Sequence, residues 1–156
     1  MHDEALSTWR SFLNAHARVT RAIGRDLAAA GLPDLSWYDA LWALHEAPSG
    51  GLRVNQLARA VVLSPTGMSR FVDRLEAEGL VRREPDPADR RALQVVLTDA
   101  GRDLLRRMWP IYARGIEAHF AAHLPAAPEP LRATFDAMAT MEPSAARSPS
   151  PSSSPS

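Results

Sequence analysis

From Glu4 to Ala30 the positions Leu6, Trp9, Leu13, His16, Thr20, Ile23 and Leu27 recur at steps of three and four, with His16 and Thr20 as polar interruptions. That spacing places all of them on one stripe of a long amphipathic helix, which Gly31 and Pro33 should end. Ser36 suits the N-cap of a second helix, Trp37 to Glu46, terminated by APSGG. A short helix from Val54 to Ala60, a tight apolar turn and a longer helix from Pro65 to Glu78 follow, the last closed by Gly79. The pattern then changes: Val81 to Glu84 and Ala92 to Leu97 are short alternating or apolar runs, predicting a β-hairpin with PDPADRR near its tip.

Thr98 should cap another helix, Asp99 to about His123, carrying Leu104, Leu105, Met108, Trp109, Tyr112, Ile116 and Phe120. Pro110 lies inside it, where a ring without an N–H should kink the helix or cost about 3 kcal/mol if it stayed straight. Pro125, Pro128 and Pro130 precede a last short helix, Leu131 to Met141. After Glu142 the chain is Ser, Pro, Ala and one Arg, too poor in apolar residues to fold, and is expected to be a disordered tail. The expected architecture is mainly α with a small β-hairpin (α+β). It divides into an N-terminal helix over 4–34, a central unit over 35–98, C-terminal helices over 99–142 and the tail over 143–156.

Composition narrows the classes. A chain of 156 residues with 46% hydrophobic content can bury a real core. Eighteen basic residues balance eighteen acidic ones, so net charge alone points to neither a polyanion nor a membrane surface. All the basic residues are arginine, as genome composition could equally produce. No cysteine is present, which excludes disulfides, thiolate metal sites and thiol redox sensing within these residues. No apolar run approaches the roughly 20 residues of a membrane span and no segment has the order of a signal peptide, so a cytoplasmic protein without a membrane partner is expected.

The Pro65 to Glu78 segment carries the sharpest functional signal. At about 100° per residue, Met68, Phe71, Val72, Leu75 and Gly79 gather in an arc of about 100°. Thr66, Ser69, Arg70, Asp73, Arg74 and Ala77 occupy the opposite side, with Glu76 and Glu78 at the borders. Short hydroxyls and arginines suit a phosphate backbone and base edges, because Arg binds guanine O6 and N7 through two hydrogen bonds. Asp73, three residues from Arg70, is placed to orient its guanidinium. Ser64 as N-cap with Pro65 at the first helical position would pre-form the end that points at DNA. A helix of about 22 Å would fit a major groove about 12 Å wide.

A helix pair alone also occurs throughout helical proteins. The hairpin behind it makes the unit a winged helix-turn-helix, whose arginine-tipped loop can lie along the adjacent minor groove. In that reading the prolines restrict the loop, Asp89 accepts a hydrogen bond from a nearby arginine, and Arg90 and Arg91 form the tip. A solvated turn with incidental charge is the alternative.

The stretch NQLARAVVLSPTGMSRFVDRLEAEGLVRREPDPADRRALQVVLTDAG resembles the winged helix-turn-helix core of the MarR family of bacterial transcription regulators, over Leu35 to about Leu124. The resemblance implies a homodimer in which the first helix and the last two interlock, each subunit offering one winged domain to half of an inverted-repeat operator. It further implies a repressor that releases double-stranded DNA when a small, often aromatic or phenolic, ligand binds between the dimerisation and DNA-binding parts. Ser64, Thr66, Ser69, Arg70 and Arg74 match recognition-helix positions, Asp89 and Arg91 match the wing aspartate and arginine, and Arg90 fills a more variable position between them. Dimerisation has weaker support of its own, since three apolar-striped helices leave more surface than one winged domain can cover. Recognition helices about 34 Å apart would then meet successive major grooves.

Trp9, His16, Trp37, Tyr38, Trp42, His45, Met108, Trp109 and Tyr112 come from segments expected to converge where scaffold meets winged unit. They either line an effector pocket or pack as core and interface. His119 and His123, four apart, could chelate a metal as in a metal-responsive regulator, but they are half of a tetrahedral set and fit solvated or interface histidines as well. No phosphate loop, nucleophile elbow, HExxH motif or apolar carboxylate pair argues for an enzyme or a cofactor. A winged module that binds protein rather than DNA remains the main rival, and the neutral net charge favours it mildly.

Overall fold

The computed structural model describes residues 2–62 and 66–140. Among them the order is α1 (His2–Ala29), α2 (Leu35–His45), β1 (Gly51–Leu52), α3 (Val54–Ala60), α4 (Met68–Ala77), β2 (Val81–Asp86), β3 (Asp89–Leu97), α5 (Asp99–His119), a 3-10 turn (Ala121–His123) and α6 (Glu129–Ala139). The described residues divide into two units, one running to His123 and the other beginning at Leu124 and containing α6.

In the first unit the stripes expected from spacing become one core. Leu27 of α1, Leu41 and Leu44 of α2, Leu57 of α3, Phe71, Val72 and Leu75 of α4, and Met108 of α5 are all essentially inaccessible and belong to one cluster. The strands form an antiparallel sheet in the order β1, β3, β2. Val81 pairs with Leu97 and Arg83 with Val95, so Val81, Val95 and Leu97 join the core while β2 stays at the sheet edge.

Several local expectations are corrected. α2 is capped by Asp34, whose Oδ1 accepts from the Ser36 N–H at 2.9 Å, so the cap lies two residues before Ser36. Helix α4 begins at Met68 rather than Pro65, because Gly67 occupies the N-cap at φ 74°, a left-handed conformation that breaks helical continuity. Its ten residues span about 15 Å, not 22 Å. Its far end is as expected: Gly79, at φ 71°, donates to Glu76 O while the Leu80 N–H donates to Leu75 O.

α5 continues through Pro110, which is exposed, and stops at His119, so His123 lies in the 3-10 turn rather than on the same helix face. Strand β1 has no counterpart in the expected elements. Its Gly51 permits a close approach, since a Cβ there would lie 2.9 Å from Val95 O. The expected tail over 143–156, and the capping roles of Ser64 and Pro65, lie outside the described residues.

Candidate nucleic-acid interface and effector cavity

α4 presents Ser69, Arg70, Asp73 and Arg74 outward while Met68, Phe71, Val72 and Leu75 bury, dividing the helix as its spacing required. Thr66 is exposed but lies in the bend before α4 rather than on it, and Ser64 is outside the described residues. Arg70 makes no ion pair among the described residues. Asp73 does not orient it, because that carboxylate accepts from Arg83 Nη2 at 2.7 Å. The Arg74 guanidinium sits over the Phe71 ring, 5.3 Å from its centroid, a cation–π contact that holds it near the helix surface.

Arg83, absent from the residues that spacing singles out, ties the wing to α4. Its backbone N–H donates to Glu76 Oε1 at 3.0 Å, and its guanidinium also meets Glu76 Oε2. Burial disfavours the charge, yet hydrogen bonds to Asp73 and Glu76 hold its pKa above the ordinary value. The acidic groups on α4 thus brace the hairpin. Arg53, at the start of α3, does the same from the other side by donating to Asp86 at 2.7 Å.

The wing is longer and its turn tighter than expected. β2 extends through Asp86 and β3 starts at Asp89, leaving Pro87 and Ala88 as the turn. Arg90 and Arg91 therefore lie on β3 beside the tip rather than forming it. The turn closes early because Asp86 Oδ1 accepts from the Ala88 N–H at 2.8 Å, and that bond together with Arg53 pulls the Asp86 carboxyl below its usual pKa. Pro85 is accommodated by its place on the edge strand, next to the register shift between Pro85 and Asp86. Asp89 Oδ1 accepts from both the backbone N–H and Nε of Arg91, at 3.2 and 3.1 Å. The Arg91 side chain is otherwise open, at 92% exposure, and Arg90 is exposed without an ion pair among the described residues.

On the scaffold side, a cavity of about 970 Å³ opens between α1, α2 and α5. Tyr38 is the hub of its aromatic wall: its ring lies 4.9 Å from Tyr112, 6.1 Å from Trp42 and 6.3 Å from Trp109. Burial raises the pKa of Tyr38 and Tyr112, with Tyr112 adding to the shift at Tyr38 and Asp39 to that at Tyr112. His16, Tyr38, Trp42, His45, Trp109 and Tyr112 do converge on this cavity.

Three expected members do not. Trp37 packs edge-on against Phe71 at 6.1 Å, Met108 is wholly core, and Trp9 stacks on Phe12. The cavity's polar members Asp39, Arg102 and Arg106 are additions to the expected set. The i, i+3 and i+4 continuation of the Leu105, Trp109, Tyr112 stripe back to Arg102 is the sequence signal that points to the last two.

The margin of this cavity and the wing share one junction. Arg102 lines the cavity and donates Nη1 to Leu97 O, the last residue of β3, at 3.0 Å. Thr98 accepts from the Gly101 N–H to cap α5 and donates its own hydroxyl to Gly79 O, at 2.7 Å, at the end of α4. Gly101 itself abuts Leu80 so closely that a Cβ would fall 2.3 Å from the Leu80 carbonyl oxygen.

A short sheet with a projecting hairpin, set behind a helix whose outer face carries Ser69, Arg70 and Arg74, defines a winged-helix transcription regulator. The MarR family model matches residues 30–92. AbsC from Streptomyces coelicolor, a MarR family transcriptional regulator, is 32% identical with a TM-score of 0.74, covering 88% of this chain and 91% of that one. Sco3205 from the same organism, solved in complex with DNA, is 32% identical at a TM-score of 0.72, covering 89% and 85%. CouR from Rhodococcus jostii RHA1, solved with p-coumaroyl-CoA, is 26% identical at a TM-score of 0.67, covering 81% and 87%. The chain belongs to the MarR family, whose members are transcription regulators rather than enzymes. No helix among the described residues is long and apolar enough to cross a membrane.

Proposed function

We propose that this chain is a cytoplasmic, homodimeric repressor that binds an inverted-repeat operator and releases it when a small aromatic acid or phenol enters the α1–α2–α5 cavity. The observation that carries the DNA-binding part is the division of labour among arginines: Arg53 and Arg83 are consumed in bracing the wing, while Arg70, Arg90 and Arg91 stay exposed on one winged unit. Ser69, Arg70 and Arg74 enter the major groove in this reading, Thr66 and Ser64 approach the backbone before the helix, and Arg90 and Arg91, with Asp89 orienting the latter, track the flanking minor groove. That Sco3205 was solved in complex with DNA supports a DNA-binding role.

Dimerisation is supported by the first half of α1, where Leu6, Trp9, Phe12 and Leu13 are 41–54% exposed, an apolar run that a second copy would cover. In the domain plan, residues 4–34 and 99–142 supply the dimer and 35–98 reads DNA.

The effector reading rests on an apolar, aromatic-walled cavity with few polar groups, the composition of a small-molecule site. The aryl group of the CouR ligand accords with it. Release follows from the junction: a ligand that draws Arg102 toward itself breaks the bond to Leu97 O and frees the base of the wing where Thr98 meets α4.

Selecting bound fragments from genomic DNA with the purified protein tests the reading. Recovery of an inverted repeat, with elution by a phenol or aryl acid, is expected; retention of no duplex at low salt would end it.

A further inference from the structure

A second cavity, of about 590 Å³, lies on the other flank of the α1–α5 pair and is lined by Asn14, Arg18, Arg21, Arg25, His119 and His123, with Val19 and Ala22. Asn14, Arg18, Arg21 and Arg25 follow one another at steps of three and four, so they share a face of α1. Like charges at that spacing destabilise a helix. Nothing offsets this locally: none of the three arginines has a carboxylate within ion-pair distance among the described residues, and only Arg21 has a hydrogen bond, from Nε to Ala17 O at 3.2 Å.

Asp26, next to Arg25 in the chain, is already engaged, since its Oδ2 lies 2.8 Å from His119 Nε2. That contact engages one of the two ring nitrogens of His119. Three guanidiniums beside the histidines also repel a cation, and among the described residues no group of three or more His, Cys, Asp or Glu is placed to hold one. The histidine pair thus belongs to a site of the opposite sign.

We propose that this cavity binds a small soluble molecule carrying two or more phosphate groups. Guanidinium forks match phosphate oxygens with paired hydrogen bonds. Arg18 and Arg25 lie about 10 Å apart along the helix axis, too far to converge fully on one phosphate and well spaced for a chain of them. Asn14 and His123 add further hydrogen-bonding groups to the lining. This open cavity has the size for a metabolite and is too small for a DNA duplex, which separates this ligand from the phosphates proposed to meet α4 and the wing.

The test is calorimetric titration of the full-length protein with inorganic tripolyphosphate at low ionic strength. One site per chain is expected, weakened at least about tenfold by Arg21→Ala and again by Arg25→Ala, and unchanged in Arg91→Ala, which alters only the wing. Matching thermal melts of the variants show that the exposed substitutions leave the fold intact, and Arg18→Gln provides an independent reduction of charge.

Four results would overturn the proposal. They are no heat in the parent protein, equal weakening by Arg91→Ala, full retention in the Arg21→Ala, Arg25→Ala double variant, and stoichiometric zinc binding lost in His119→Ala. Sedimentation showing that the double variant loses self-association while the parent ignores tripolyphosphate would assign the arginines to a second copy instead. Because operator binding is measured separately, failure here leaves the DNA reading untouched.

Discussion

Around α4 and the wing, charge is divided between two roles. Arg53 and Arg83 are bound to Asp86, Asp73 and Glu76, while Arg70 and Arg90 face outward without ion pairs among the described residues. Around the α1–α2–α5 cavity, rings hold one another through Tyr38, and the polar residues sit at the margin. One region is a salt-bridged base carrying exposed charge; the other is a largely apolar volume with a few polar handles. Under the proposed function, reading and sensing would be separated within one core and joined by a small junction. Here that junction is Arg102, Thr98 and Gly101 against Leu97, Gly79 and Leu80.

The severest perturbation removes what lies beneath both regions. Phe71 is 1% exposed beneath α4 and meets Trp37, so Phe71→Ala should lower stability by about 3 to 5 kcal/mol in denaturant titrations, degrading both regions together. At the junction, Gly101→Ala drives a Cβ into the Leu80 carbonyl; a loss of about 1 to 3 kcal/mol is expected in thermal melts, with weaker operator binding and a blunted ligand response.

Surface substitutions leave the core alone and separate the two regions. Arg70→Ala or Arg74→Ala should cost about 1 to 3 kcal/mol of operator affinity and relax base preference in anisotropy titrations, with Arg91→Ala weakening all sequences more evenly and ligand affinity unchanged throughout. Arg83→Met should remove only about 1 kcal/mol of stability or less, its ion pairs being partly exposed, but should speed amide exchange along β2.

The smallest effect is in pH. The Asp86 carboxyl titrates below its ordinary value, so its support of the wing is complete above the unfolded carboxylate range near about pH 4 and is lost as pH falls through the lower folded value. Wing amides should therefore lose protection at acid pH in the parent and show no such dependence in Asp86→Asn.

The helices and their buried faces are legible in the sequence because apolar spacing is a strong, local signal: α1, α3, α4 and α5 fall where the stripes of Leu27, Leu57, Phe71 and Met108 demand. The losses have particular causes. The start of α4 depends on one left-handed glycine, Gly67, which Ser-Pro capping chemistry upstream conceals. The wing looks like a loose arginine tip in the sequence because pairing of Asp86 with Asp89 and the turn bond to Ala88 cannot be inferred from composition. Arg83 carries no local signal, since its value lies in Asp73 and Glu76 on another element; the α5 stripe marks Arg102 as a cavity residue but not its bond to the Leu97 carbonyl. Aromatic residues at helical spacing mark the cavity's wall but do not separate Tyr38, which lines it, from Trp37, which turns into the winged core.

The decisive quantity is the ionic-strength dependence of operator affinity, compared between the parent protein and Arg91→Ala. A steep linear fall of log K with log salt is predicted, its slope reduced by about one unit when the wing arginine is removed. A salt-independent affinity, or identical slopes for the two proteins, would contradict the assignment of the exposed arginines to DNA.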